Sequence, residues 1–411
     1  MDLAAAKKLV SGEGWGLLQS LPPYDESTVL GLGEGLRAAG FDTDLVAAAL
    51  TQSRLRAKGR EKFGEFAAGM VFTSDGLEQA TRLEIAARHA QRFRGAGVRQ
   101  VFDLSCGIGA DAMAIAGLDL QVTAVDADEV TAILAGVNLR HWPGASASVG
   151  TAEETQLPTG EGARHTGAWL DPARRLPGVA DARGRTRRVF NLAAIAPSWS
   201  TVQSIATSLP ATGAKMSPSF PHAAVPAGTE AQWTSLAGEV LECAIWWGPL
   251  VNTAGRSALV IGPHGRSWTV RQADAGPIGG VVPVASGLAQ VGAWLYEPDR
   301  AVIRAGLTGA LTSVVDGVEL DSGVGYVTSD NCLDVGYARR FAVTDSMPLN
   351  VKALRAFLRD RDVGNVTIKK RGVTLDADGL RRQLRLSGSV EVTLVITRVR
   401  NHPVCLVVRP A

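Results

Sequence analysis

Residues 101–116 read VFDLSCGIGADAMAIA, and this stretch decides the fold. An apolar run ends at Asp103, two glycines follow at 107 and 109, and an apolar helical pattern begins at once. Gly107 and Gly109 let the backbone turn sharply and approach a ligand closely. The helix behind them turns its free N–H groups toward that ligand. The next apolar run, QVTAVDAD, ends at Asp126, 17 residues past Gly109, where an acid holds two ribose hydroxyls.

Two nucleotide cofactors fit this much. Gly107 to Ala112 satisfy the GxGxx(G/A) form of the dinucleotide fingerprint. Asp103 separates the two, because it lies directly before the glycine loop. It repels a pyrophosphate and attracts a cofactor that carries an ammonium and a sulfonium. It therefore favours S-adenosylmethionine.

Outward from the loop, strands and helices alternate. VRQVFDLSC, QVTAVDAD, ASASVGTAEE and GAWLDPARR read as strands; GADAMAIAGLD, EVTAILAGVNLRHW and STVQSIATSLP read as helices. This alternation predicts an α/β fold with a mostly parallel, seven-stranded sheet. ATGAKMSPSF is the expected fifth strand. EVLECAIWWGPL and RSALVIGP are expected as an antiparallel pair at the sheet edge, and 272–292 as loop and hairpin. YEPDRAVIRAGLTGAL reads as a helix with proline near its start. Upstream, residues 1–68 read as a helical region with Asp42 or Thr43 as a cap, and FTSDGLEQATRLEIAARHAQRFRGAG as one helix opening at Thr73/Ser74. From 331 a compact α+β module begins, so the expected domains are 1–68, 69–330 and 331–411.

Composition is that of an ordinary globular protein, with 46% hydrophobic and 20% charged residues and a net charge of only +2. The charge is uneven: from Val351 to the end there are 13 basic and 5 acidic residues. Arg54, Arg56, Lys58, Arg60 and Lys62 form a second basic cluster. Such clusters suit polyanions or form a solvated face. Cys106, Cys243, Cys332 and Cys405 are scattered, which predicts no zinc site and no disulfide framework and fits a reducing cytoplasm. His141, His165, His222 and His264 fit no triad or metal spacing. No apolar run reaches membrane-spanning length.

The stretches FTSDGLEQATR, DLSCGIGADA, AVDAD, LDPARR, AKMSPSF, YEPDRAVIRAGL and TIKKRGV together resemble a bacterial class I S-adenosylmethionine-dependent methyltransferase with a C-terminal THUMP-like domain. The layout is similar to trimethylguanosine synthases and other RNA-directed methyltransferases. The resemblance implies a Rossmann-like core and methyl transfer to RNA, with the terminal domain as the RNA-binding candidate. It places Asp103, Ser105, Cys106, Gly107, Ile108 and Gly109 in the methionine-side loop and Asp126 with Ala127 at the ribose. It nominates Phe72, Thr73, Gln79 and Thr81 for a segment closing over the methionine end. Thr151 and Ala152 stand where such enzymes often carry Asp-Ala beside the adenine, so that contact falls to Thr151 or to Glu153.

The acceptor side is assigned to Asp171, Pro172, Arg174 and Arg175. An acid there accepts a hydrogen bond from an exocyclic amine, and Pro172 stiffens the turn. Arg174 and Arg175 stay protonated; they either hold a phosphate or a splayed base, or pair with core acids. Trp199 is a nearby aromatic that either stacks on substrate or sits in the core. Lys369, Lys370 and Arg371 form a basic strand-end corner suited to a nucleic-acid backbone. Three functions remain open on these residues: a base-nitrogen RNA methyltransferase, a methyltransferase for a small molecule or protein, and a non-catalytic S-adenosylmethionine-binding module.

Overall fold

The structure is a computed structural model. It describes all residues except 174, 181–185, 189–191, 193–194 and 277–281, and for 175–180 and 186–188 it describes the backbone alone. The chain folds as two compact units, Met1–Met216 with Ile245–Asn252, and Ser217–Ala244 with Thr253–Ala411.

The first unit opens with helices α1 (Leu3–Val10), α2 (Gly12–Ser20), α3 (Val29–Ala38) and α4 (Thr43–Phe63). Asp42 caps α4, its side chain accepting from the Leu45 amide. Apolar faces of α1, α2 and α4 close around Leu9, Leu17, Leu45, Val46 and Ala49. The long helix expected from residue 74 is broken in two, α5 (Ser74–Gln79) and α6 (Leu83–Gly95). The break places the Thr81 side chain in the core, where it finds polar partners.

Five parallel strands follow: β1 (Gln100–Asp103), β2 (Gln121–Asp126), β3 (Ala145–Val149), β4 (Thr166–Leu170) and, after the two-stranded β5 (Arg175–Ala180) and β6 (Thr186–Arg188), β7 (Ala211–Met216). Their order is β7-β4-β1-β2-β3. Helices α7 (Ala110–Ala116), α8 (Glu129–Leu139) and α9 (Trp199–Ser208) connect them. The chain reverses its strand order between β1 and β4. In such sheets ligands bind beyond the carboxyl ends of the strands at that switch point, where the glycine loop and the Asp171 turn both begin.

Under β4 and β7 lies an aromatic core. Trp169 stacks on Trp246 at 5.3 Å, and Phe93 presents its edge to both. Arg92 lies over the Trp246 ring at 4.5 Å and donates to the Leu250 carbonyl.

The second unit corrects two expectations. Strand β10 (Gly255–Ile261) does not pair with β9 (Glu239–Trp246). It pairs in parallel with β8 (Glu230–Leu236), which lies between them, and antiparallel with β11 (Ser267–Arg271). Residues 296–311 are not one helix: β12 (Trp294–Pro298) ends at the proline, α10 (Arg300–Arg304) starts on an Asp299 cap, and α11 (Thr308–Val315) follows Gly306.

A seven-stranded sheet in this unit runs β13-β14-β12-β15-β18-β17-β16. It comprises β12, β13 (Val318–Glu319), β14 (Val327–Ser329), β15 (Ala338–Pro348), β16 (Val363–Lys370), β17 (Val390–Val399) and β18 (His402–Pro410). Helices α12 (Val351–Asp360) and α13 (Ala377–Leu384) bury Leu354, Leu358, Leu380 and Leu384 against Val366, Leu394 and Val407.

Candidate active site

Asp103 ends β1 and is 1% exposed. The chain then passes between the tips of its two neighbours: Leu104 N donates to the Trp169 carbonyl of β4 and Cys106 N to the Val125 carbonyl of β2. Gly107 (φ 55°) and Gly109 (φ 84°) are left-handed, a conformation strained for a side chain. Gly109 also lies against α8, where an added Cβ would sit 3.5 Å from the Ala135 methyl.

Asp126 ends β2 and braces this loop. Its Oδ2 accepts from Gly107 N at 2.9 Å and its Oδ1 from Asp128 N at 3.0 Å. Asn138 on α8 braces it from behind, donating to the carbonyls of Ile108 and Val71 and accepting from Val71 N. Gln52 makes the same two-way pairing with the Phe72 backbone. Two buried amides thus fix the segment before α5 beside the glycine loop.

Asp103 is electrostatically different from its neighbours. Among the described residues neither carboxylate oxygen has a hydrogen-bond partner. The Ser105 amide lies close enough to favour the ionised form slightly, without hydrogen-bond geometry. Burial, followed by the charges of Asp111 and Asp171, pushes the Asp103 carboxyl well above the usual range. Burial also pushes Asp126 up, against the pull of the Asp128 and Gly107 amides. Asp111 on α7 is as deeply buried, yet its carboxyl is held low. There the penalty of burial is outweighed by the His89 hydrogen bond and charge, by Lys215 and by Thr81.

Asp171 stands just past β4. Its amide donates to Ser105 Oγ at 2.7 Å, tying the acid-proline turn to the glycine loop. Its Oδ2 accepts from Lys215 Nζ, on β7, at 2.5 Å. Lys215 also donates to Thr81 Oγ1 at 3.0 Å, Thr81 donates to Asp111 Oδ2 at 2.7 Å, and Asp111 Oδ1 meets His89 Nδ1 at 2.8 Å. Pro172 is buried, and Ala173 bridges to Ala196. Lys215, His89 and Asp111 were not assigned roles from sequence. Each is unremarkable alone; Lys215 and Thr81 are 134 residues apart in the chain.

Other nominated residues are placed differently. Phe72 is wholly buried against Phe63, so its ring is core. Thr73 caps α5 by accepting from Gly76 N, and Gln79 and Ala127 are exposed. Cys106 is buried, its thiol pushed well up by burial and by the Asp103 charge. The Thr151 hydroxyl closes a turn with Glu154, Ala152 is buried beneath it, and Glu153 accepts from Thr201 on α9. Trp199 starts α9 half-buried, 5.9 Å from the Trp247 ring. Arg174 and the Arg175 side chain lie outside the described residues; the Arg175 backbone starts β5.

Both basic clusters are partly neutralised. Lys369 and Arg371 pair with Glu297 at 2.7 and 3.2 Å, Arg371 also covers the Tyr326 ring, and Lys370 donates to the Leu375 carbonyl. In α4, Arg56 donates to the Met70 carbonyl and Lys62 to the carbonyls of Leu77, Glu78 and Ala80. Burial, with the charges of Lys215 and Arg82, brings the Lys62 amine down to about 8. Lys369, Arg371, Arg56 and Lys62 are fastenings within their units more than open phosphate contacts, while Lys370 stays exposed. Among the described residues no helix is long and apolar enough to cross a membrane.

Comparison with known proteins agrees with this geometry. The family model of THUMP domain-like sequences matches residues 338–410, and a domain family of unknown function matches 2–59. Two uncharacterised S-adenosylmethionine-dependent methyltransferases, from two strains of Mycobacterium tuberculosis, are each 29% identical over 369 residues, covering 87% of this chain and 95% of theirs. A candidate methyltransferase structure from Porphyromonas gingivalis W83 superposes with a TM-score of 0.70 at 18% identity, over 95% of this chain and all of that one, and so shares the fold.

Proposed function

From the premise that the chain is an S-adenosylmethionine-dependent methyltransferase, as its homologues make it, we propose that its acceptor is a base nitrogen of RNA. We also propose that the working parts are the helical region 1–68, the methyltransferase core 69–330 and the THUMP-like module 331–411.

The residues present suit the cofactor. Asp103 is a buried carboxylate without a partner among the described residues, in the position to answer an ammonium. Gly107 and Gly109 keep the backbone open, and Asp126 presents an acid at the end of β2 for ribose hydroxyls. When bound, S-adenosylmethionine supplies a methyl already activated by a positive sulfur. The chain is therefore asked mainly to position the acceptor. Asp171 accepts a hydrogen bond from the acceptor N–H, drawing the nitrogen lone pair out of its ring and stabilising the charge that develops there. Pro172 keeps the turn stiff and removes a competing donor.

The observation that carries the RNA assignment is the THUMP-like match at 338–410, most of which lies in the stretch from Val351 to the end with its 13 basic and 5 acidic residues. Since Lys369 and Arg371 are engaged with Glu297, the assignment moves the backbone contacts to exposed cations of the module, Lys352, Arg359, Lys370 and Arg385.

Tritium transfer from labelled S-adenosylmethionine onto total RNA tests the reading. Transfer is expected, with RNA retention that weakens as salt rises and that falls in a Lys352→Glu/Lys370→Glu variant. Labelling of soluble protein or small molecules instead of RNA, or binding indifferent to salt, overturns the RNA acceptor.

A further inference from the structure

Lys215 is the one cation set directly on the acceptor-side carboxylate among the described residues. We propose that Lys215 is a positioning residue for methyl transfer, holding Asp171 in place as the hydrogen-bond acceptor for the substrate N–H. This rests on the reading of Asp171 given above.

The Lys215 side chain is 5% exposed and that of Asp171 25%. A buried ammonium is costly unless paired and fully hydrogen-bonded. Here the pairing is over-determined. The single Thr81 hydroxyl proton goes to Asp111, which leaves the Thr81 oxygen to accept from Lys215. Asp111 is in turn fixed by His89, itself packed at 4.4 Å on the Trp169 ring. Lys215 therefore has two fixed oxygens to satisfy, one structural and one at the acceptor edge.

Ser105 fixes the same aspartate from its backbone amide. Asp171 is thus held at its main chain by the glycine loop and at one carboxylate oxygen by β7. An aspartate so held presents its remaining oxygen in one orientation. It accepts a hydrogen bond from the substrate N–H, and the proton of the methylated nitrogen is left to water. Lys215 also helps, after His89, to hold the buried Asp111 carboxyl low.

Two measurements on the full chain test the assignment. Hydrogen exchange by mass spectrometry is independent of turnover. In Lys215→Met the segment 168–173 is expected to exchange about tenfold faster or more, with α1–α4 unchanged. Unchanged exchange there overturns the proposal.

The second is a double-mutant cycle on whichever acceptor the wild type labels. Lys215→Met and Asp171→Asn are each expected to lower kcat about 100-fold, with KM for S-adenosylmethionine within about threefold. The double variant is expected to match Asp171→Asn within about threefold, because Lys215 acts through Asp171. Losses that multiply overturn the proposal. The double variant removes both charges of the pair and strands neither partner, so it carries the cycle even where Lys215→Met folds poorly. Labelling of an acceptor other than RNA removes the RNA reading and leaves this test intact; no transfer to any acceptor overturns both.

Discussion

Two clusters of charge in this molecule have opposite character. At the end of β1 a buried acid, Asp103, has no partner among the described residues, while Asp111 and Asp171 nearby are both paired. At the end of β16 the cations Lys369 and Arg371 look available in the sequence, yet both close on one acid, Glu297. A buried acid without a partner is either kept neutral by its surroundings, which is the direction in which burial drives Asp103, or held for a positive charge from outside the fold. On the proposed function the acid edge takes the second course, and the basic corner is first a piece of architecture.

Neutralising the acid in each cluster should therefore move stability in opposite directions. The larger effect belongs to Glu297→Gln, which strands two cations that are about three-quarters buried. A loss of about 2–3 kcal/mol is expected in urea denaturation, below the full cost of a broken buried pair because of the partial exposure.

The smaller effect, with the reverse sign, belongs to Asp103→Asn in the absence of cofactor. The Asp103 carboxyl is raised on folding, chiefly by burial and then by Asp111 and Asp171. Its folded form holds the proton more tightly than its unfolded form. Ionising it thus costs stability progressively as pH climbs from the ordinary carboxyl range toward the folded value. The variant should be more stable than wild type at mildly alkaline pH, with the difference shrinking as pH falls into the ordinary carboxyl range, read by urea denaturation across pH. A destabilised variant at the higher pH would erase the contrast.

Much of this was legible in the sequence, for local reasons. The glycine loop, the strand–helix alternation to β4 and the order of elements after 338 follow from patterns within a few residues of each other. β8 was missed because it emerges from the proline- and glycine-rich run 221–229, which masks its alternation. The helix at 296–311 was overread because its apolar spacing continues through the strand end at Pro298 and the turn at Gly306. The aspartates at 103, 126 and 171 could be found because each ends an apolar run. Lys215 could not be found: its meaning lies in an oxygen of Asp171, 44 residues away, and in a hydroxyl further off still. The basic corner misled for the same reason, since Glu297 lies 72 residues from Lys369. Sequence shows a charge; only the fold shows whether it is answered.

The most direct test is a calorimetric titration of wild type and Asp103→Asn with S-adenosylmethionine. The account predicts that wild type binds and that the variant, folded and no less stable, binds about 100-fold more weakly or not at all, the loss expected when a charged, desolvated partner is removed. Equal affinity in the two proteins would contradict it, because the Asp103 carboxyl would then take no part in holding the cofactor.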